Sequence, residues 1–176
     1  MTEHPALVRR PPAWTWLVVP VLALLILAFD QVTKRFIVNN VPPYAVVQPL
    51  PALAHLFNLT YITNTGAAFG LFQDRSILFV GIAVIVSVAI VFYLRQVPQD
   101  EWLVKISLAM QLGGALGNLL DRVRLGFVVD FVDFHAWPVF NFADTFIVVG
   151  VGLLAYCLIL RPAPGRPASA PPDPQA

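Results

Sequence analysis

Four apolar segments of about 20 residues each dominate this 176-residue sequence and restrict the folds that it can adopt. An α-helix needs about 20 mostly apolar residues to cross the hydrocarbon core of a bilayer. Only 12% of the residues are charged, about half the fraction of a typical soluble domain. The pattern predicts a four-helix integral membrane protein with spans at about 14–37, 76–94, 102–120 and 141–160.

The first apolar run does not have the form of a cleavable signal peptide. It is longer than the core of such a peptide, and the polar stretch from Asp30 to Lys34 follows where a cleavage site needs small residues. Residues 1–13 therefore form a segment before the first span. Residues 162–176 are rich in proline, alanine and glycine, which predicts a disordered tail.

The charged residues predict the orientation in the membrane. An even number of spans puts both termini on one side, with six of the basic residues there and five on the other. That small excess predicts cytoplasmic termini by the positive-inside rule. The acids support the assignment, because those on the opposite side can pair with the basic residues there. These acids are Asp30, Asp74, Asp121, Asp130, Asp133 and Asp144.

The two connections on the side away from the termini contain strand-forming sequence. Residues 56–63 and 127–132 are rich in β-branched and aromatic side chains, with partial alternation of apolar and polar residues. We expect them to pair in a small sheet at the outer membrane face. The predicted fold class is therefore an α-helical membrane protein with four transmembrane helices and a small extracytoplasmic β-rich subdomain.

Asp130 and Asp144 both lie beside apolar runs, and they are the main candidates for chemistry. An ionised carboxylate near hydrocarbon is costly, so such residues indicate function. Two neighbouring carboxyls share a proton, and aspartic proteases use that arrangement to activate water. Structural capping is the alternative for Asn141 and Asp144, because Asn-x-x-Asp is a helix-start pattern. Capping alone does not account for Asp130.

Other polar and small residues have structural interpretations. Asp30 and Lys34 are four residues apart, which favours a local ion pair at the end of the first span. Asn118 and Asp121 are expected where the third span ends. The third span also contains Gly113, Gly114 and Gly117, and small residues at this spacing favour close packing between membrane helices.

The composition argues against several classes of partner and cofactor. The net charge of +1 does not suggest binding to nucleic acid. The three histidines and Cys157 lack the spacing of metal ligands, so no metal site and no cofactor are expected. Cys157 lies inside the fourth span, where we expect it to pack as a small apolar residue.

Five short motifs then occur in a fixed order along the chain. They are Asp30-Gln-x-Thr-Lys34, Asn64-x-Gly66-x-Ala68-Phe69-Gly70, Gly117-Asn118-x-x-Asp121-Arg122, Val128-Val129-Asp130-Phe131 and Phe140-Asn141-x-Ala143-Asp144. With the four spans, this series resembles the lipoprotein signal peptidases, or signal peptidase II, which are aspartic peptidases of the bacterial inner membrane. The resemblance covers roughly residues 14–160.

The resemblance implies a substrate and a set of roles. The substrate would be a prolipoprotein with a diacylglyceryl-modified cysteine, cut just before that cysteine at the outer face of the inner membrane by a monomeric enzyme in contact with membrane lipid. Asp130 and Asp144 would be the catalytic dyad, and Asn64 and Arg122 would contact the substrate or the peptide antibiotic globomycin. Gly114 and the remaining motif residues would shape the site or support it: Asp30, Lys34, Gly66, Gly117, Asn118, Asp121, Asn141 and Ala143.

Two other functional classes fit parts of the pattern. A small transport protein could use buried acids as a proton or cation path, but it would distribute them through the depth of several spans. In this sequence the acids collect at one edge. A structural membrane subunit would use the same polar residues only as caps and ion pairs, and it would tolerate the replacement of Asp130 by asparagine.

Overall fold

The computed structural model describes residues 15–66 and 71–160. Four long helices account for most of this part: α1 (Thr15–Asn40), α2 (Ser76–Leu94), α3 (Trp102–Leu125) and α4 (Phe142–Ala155), which continues as a π-helical turn over Tyr156–Leu160. All four are long and apolar enough to cross a membrane. Their large apolar side chains are widely exposed, as expected of surfaces that face lipid.

Helix α3 is the centre of the bundle and contacts each of the other three helices. Its glycines allow the close approach. A Cβ at Gly113 would lie 2.8 Å from the side chain of Ile26 in α1, and one at Gly114 would collide with the backbone oxygen of Ala143 in α4. The predicted role of these glycines in helix packing is therefore confirmed.

Three strands form a small antiparallel sheet at the end of the bundle where α1 and α3 finish, which we call the sheet side. The order is β1 (Val46–Val47), β2 (Asn58–Asn64) and β3 (Val128–Asp133). The expected pairing of residues 56–63 with 127–132 is confirmed as β2 and β3. The sheet packs on the end of α1 around a core of Ile37, Val41, Tyr61, Val129, Phe131 and Val132.

Two helices run past the ends that hydropathy predicts. Helix α1 continues to Asn40 and α3 to Leu125, where Gly126 terminates it with φ of 83°. The sequence predicted that Asn118 and Asp121 lie at the end of the third helix. They lie instead inside α3. This extension matters because it carries polar side chains of α1 and α3 towards the sheet.

Candidate active site

Four elements bring their polar residues together on the sheet side. Strand β3 carries Asp130, the first turn of α4 carries Asp144, and the last turns of α3 carry Asn118 and Arg122. Strand β2 ends at Asn64. These residues are far apart in sequence, so their meeting is a property of the packed bundle and sheet.

Asp130 is almost fully enclosed, with 2% of its surface exposed. Each carboxylate oxygen accepts one amide hydrogen bond. Asn141 donates its Nδ2 to Oδ1 at 2.6 Å, and Asn64 donates its Nδ2 to Oδ2 at 2.8 Å. Burial, and then the negative charge of Asp144, raises the pKa of Asp130 to about 7. The Asp144 carboxyl is thus near enough to disfavour ionisation of Asp130.

Asp144 is held by a capping box at the start of α4. The Asn141 side chain accepts the backbone N–H of Asp144 at 3.0 Å, and the Asp144 carboxylate accepts the backbone N–H of Asn141 at 3.3 Å. The capping interpretation is therefore correct as local structure. The same Asn141 side chain also reaches Asp130, so the cap joins the two aspartates. Nδ2 of Asn118 donates to the other oxygen of Asp144 at 2.7 Å.

Lys34 sets the direction of the Asn118 amide. Its Nζ donates to Oδ1 of Asn118 at 2.9 Å, so the NH2 group of that amide points to Asp144. An ammonium can only donate, which excludes the flipped orientation. Asn141 donates to the same Oδ1 at 3.2 Å. A continuous series of hydrogen bonds therefore connects Lys34 with both aspartates.

The expectation of a purely local Asp30–Lys34 pair was too narrow. Lys34 is 3% exposed and lies 2.9 Å from both Asp30 and Asp121, so it joins α1 to α3. The other oxygen of Asp30 accepts the backbone N–H of Ala143 in α4. Asp121 also accepts the backbone N–H of Val129 in β3. The cluster ties three helices and the sheet together directly behind the aspartates.

Arg122 bounds the site on the side of the β2–α2 connection. It donates to the backbone oxygens of Gly66 at 3.2 Å and Asn118 at 3.5 Å, and its guanidinium lies 5.1 Å from the centre of the Phe79 ring. Its Nε is buried and has no hydrogen-bond partner among the described residues. This N–H is therefore available to a further acceptor.

A tight turn directs Asn64 at Asp130. The Oδ1 atom of Asn64 accepts the backbone N–H of Gly66 at 3.0 Å, which leaves Nδ2 free to face the aspartate. Gly66 has no room for a side chain, since a Cβ would collide with the backbone oxygen of Leu71. The rest of this motif, Ala68, Phe69 and Gly70, lies outside the described residues.

Comparison with known proteins matches this arrangement to one family. The sequence model of the family "Signal peptidase (SPase) II" matches residues 22–160. The chain belongs to the signal peptidase II family. It is 50% identical over 139 residues to a lipoprotein signal peptidase of Moorella thermoacetica, covering 79% of this chain and 91% of that protein. It is 44% identical over 145 residues to a lipoprotein signal peptidase of Caldanaerobacter subterraneus, covering 80% and 97%.

Solved structures carry the same fold. A bacterial membrane enzyme determined at 2.3 Å resolution superimposes with a TM-score of 0.74 at 32% identity, covering 80% of this chain and 87% of the other. A second, determined at 1.9 Å, gives 0.73 at 31% identity, covering 81% and 93%. This member of the signal peptidase II family is thus a multi-pass membrane protein and a peptidase.

Two contacts of the candidate site were not expected from the sequence. Gln31 donates to Asp121 at 2.9 Å and to the backbone oxygen of Gly117 at 3.3 Å. Phe79 lies beneath Arg122. Gln31 lies inside the first motif, and a polar residue in an apolar span indicates a candidate site residue. Phe79 occurs in a uniformly apolar run, so nothing in its neighbourhood distinguishes it.

Proposed function

We propose that the chain is an aspartic endopeptidase that removes signal peptides from diacylglyceryl-modified prolipoproteins by cleaving just before the lipidated cysteine. The observation that carries the proposal is the joining of Asp130 and Asp144 through Asn141 and Asn118. Both carboxyls are held by fixed amide donors, with Asp130 buried and Asp144 half-buried. That is a preorganised pair for activating water, the device that aspartic peptidases use.

The chemistry follows from one proton shared by two carboxyls. The ionised carboxylate takes a proton from a water molecule, and the resulting oxygen nucleophile attacks the scissile carbonyl carbon. The neutral carboxyl donates a hydrogen bond to the carbonyl oxygen as negative charge develops on it. Collapse of the tetrahedral species then breaks the C–N bond, and the leaving nitrogen takes a proton from the dyad.

Asn64 and Arg122 are the proposed contacts for the substrate peptide and for globomycin. Both lie next to Asp130 and Asp144 without belonging to the pair, and the unpartnered Nε of Arg122 offers a donor for a peptide carbonyl. The remaining motif residues would hold the site in shape. Together with Gly114, they would do so through the hydrogen bonds and close contacts described above: Asp30, Lys34, Gly66, Gly117, Asn118, Asp121, Asn141 and Ala143.

The proposed setting is the bacterial inner membrane. A monomer of four helices, residues 14–161, would place the sheet side and the aspartates at the outer face and both termini in the cytoplasm. A site at the end of the bundle suits a substrate whose lipidated cysteine lies at the edge of the bilayer. No cofactor is required by this mechanism.

The test is cleavage of a defined precursor. Purified protein in detergent is incubated with a diacylglyceryl-modified prolipoprotein, and the released peptide is identified by mass. We expect a peptide that ends at the residue before the cysteine, and globomycin should abolish its release. Cleavage at another bond, or none while the protein remains folded, would contradict the proposal.

Reagents that address other protease classes separate the mechanisms. Chelators, thiol alkylation and serine-directed reagents should leave cleavage unchanged. Loss of cleavage with a chelator, restored by zinc, would contradict the aspartic mechanism while leaving the substrate assignment intact.

A further inference from the structure

A groove of about 450 Å³ runs between the last turns of α1 and α3 on the sheet side. Its lining includes Arg35, Arg124 and Val129. Successive side chains of a strand point to opposite faces, so Val129 and the carboxyl of Asp130 lie on opposite faces of β3. The groove therefore lies on the opposite face of β3 from the pair of aspartates, and the Lys34–Asp121 ion pair lies between them.

The groove carries unbalanced positive charge. Arg35 and Arg124 are both exposed, and neither has an ion pair or a side-chain hydrogen bond among residues 15–66 and 71–160. The one acid in its lining, Asp121, is buried, and its oxygens are taken by Gln31, Lys34 and the backbone of Val129. Two arginine side chains thus face the same space with no counter-charge of their own.

The groove lies at the ends of the two candidate spans α1 and α3, where the headgroup layer of a membrane would lie. Arg124 is the penultimate residue of α3, and Arg35 lies roughly 8 Å along the helix axis from the end of α1. Towards the middle of the membrane, the face of α1 below Arg35 carries the exposed apolar residues Ala28 and Leu24, seven and eleven positions earlier. Positive charge above an apolar stripe is complementary to one kind of molecule, a lipid with an anionic head.

We propose that this groove binds the phosphate headgroup of an anionic phospholipid of the surrounding membrane. Arg35 and Arg124 hold the phosphate, because guanidinium groups match its geometry with paired N–H donors. An acyl chain lies along Ala28 and Leu24. The site takes a lipid that is not cleaved, so it is distinct from the proposed peptidase reaction.

Native mass spectrometry in detergent tests the assignment with two lipids that differ only in the head. Phosphatidylglycerol should give a 1:1 adduct, and phosphatidylcholine with the same acyl chains should bind far more weakly. The variant Arg35→Gln/Arg124→Gln should bind phosphatidylglycerol about 30-fold more weakly, at roughly one cation's contribution for each arginine. Arg75→Gln is the matched control, because it removes an exposed arginine on the same side but outside the groove.

A lysine variant and a competition with inorganic phosphate complete the test. Arg35→Lys/Arg124→Lys keeps the charge but loses the paired N–H donors, so it should bind phosphatidylglycerol more weakly than wild type and more tightly than the glutamine variant. A melting temperature of the glutamine variant equal to that of wild type in lipid-free detergent shows that its weaker binding is not misfolding. Inorganic phosphate at millimolar concentration should not displace the lipid. Equal binding of the two lipids, an unchanged affinity in the glutamine variant, or displacement by phosphate alone would overturn the proposal. Cleavage in lipid-free detergent should be the same in all these variants.

Discussion

At the scale of single residues, Lys34 determines whether the aspartates are held correctly. It donates to Asp30, Asp121 and Asn118 from a buried position. Replacing it by methionine leaves two buried carboxylates without their cation and frees the Asn118 amide to rotate. Removing one partner of a buried pair costs about 3–5 kcal/mol. We expect Lys34→Met to lower the melting temperature strongly and to reduce turnover per folded molecule.

The adjacent residue is the matched control for that variant. Arg35→Met removes an exposed cation that has no ion pair among the described residues, so its melting temperature in lipid-free detergent should stay close to wild type. If Lys34→Met and Arg35→Met were equally stable and equally active, the proposed role of Lys34 would be wrong.

The raised pKa of Asp130 predicts a pH dependence of activity. Because the folded protein retains a proton on this pair up to about pH 7, the neutral carboxyl is present below that value and lost above it. The value of kcat/KM for the lipidated precursor should therefore fall as pH rises through about 7. It should fall again at low pH, when the general base is protonated. A flat profile from pH 6 to 9 would count against the shared proton.

The same shift predicts the pH dependence of stability. Asp130 binds its proton more tightly in the folded state, where the pKa is about 7, than in the unfolded chain, where it is near 3.8. Its contribution to stability is therefore fully present below the unfolded value and is lost as pH rises to about 7. The melting temperature of the wild-type protein should therefore fall over this pH range, and the fall should be smaller in Asp130→Asn. Parallel curves for both proteins would contradict the assignment.

At the scale of elements, the approach of α3 to α4 depends on a glycine. A Cβ at Gly114 would collide with the backbone oxygen of Ala143, and a backbone cannot yield as a flexible side chain can. We expect Gly114→Ala to separate the two helices, displace Asn118 from Asp144 and lower both melting temperature and turnover. Gly152→Ala in α4 is the control, since a Cβ there meets nothing within 4 Å. It should be neutral or slightly stabilising.

The helices and the sheet were largely predictable from local patterns, and the helix ends were not. Hydropathy marks the hydrocarbon-crossing part of α1 and α3, but both helices continue through polar residues that hydropathy excludes. Strand β1 has only Val46 and Val47, too short for any periodicity. The ion pair between Lys34 and Asp121 depends on how α1 packs against α3. The four-residue spacing of Asp30 and Lys34 carries no information about that packing.

The sequence predicted which residues form the candidate site better than it predicted the hydrogen bonds between them. The motifs identify Asp130, Asp144 and their asparagines by resemblance to a family. They do not say which amide faces which carboxylate. The Asn141 side chain accepts the backbone N–H of Asp144 while its NH2 group faces Asp130, and Asn118 supplies the side-chain donor to Asp144.

At the scale of the whole molecule, the position of the site at the end of a lipid-facing bundle predicts dependence on substrate lipidation. Burying acyl chains contributes roughly 0.8 kcal/mol per CH₂, so lipidation should dominate presentation of the cysteine. The unmodified precursor should therefore be a very poor substrate. The measurement compares initial cleavage rates of lipidated and unlipidated precursor in the same detergent. Equal rates would show that the lipid plays no part in recognition.

The most direct test of the account is turnover of Asp130→Asn and Asp144→Asn on the lipidated precursor. Asparagine keeps the size of the side chain but can neither take the proton of water nor share one. Each variant should insert and fold yet lose nearly all cleavage, while Asp100→Asn, at an exposed aspartate between α2 and α3, should cleave like wild type. Near-wild-type turnover in either dyad variant would contradict the aspartic mechanism.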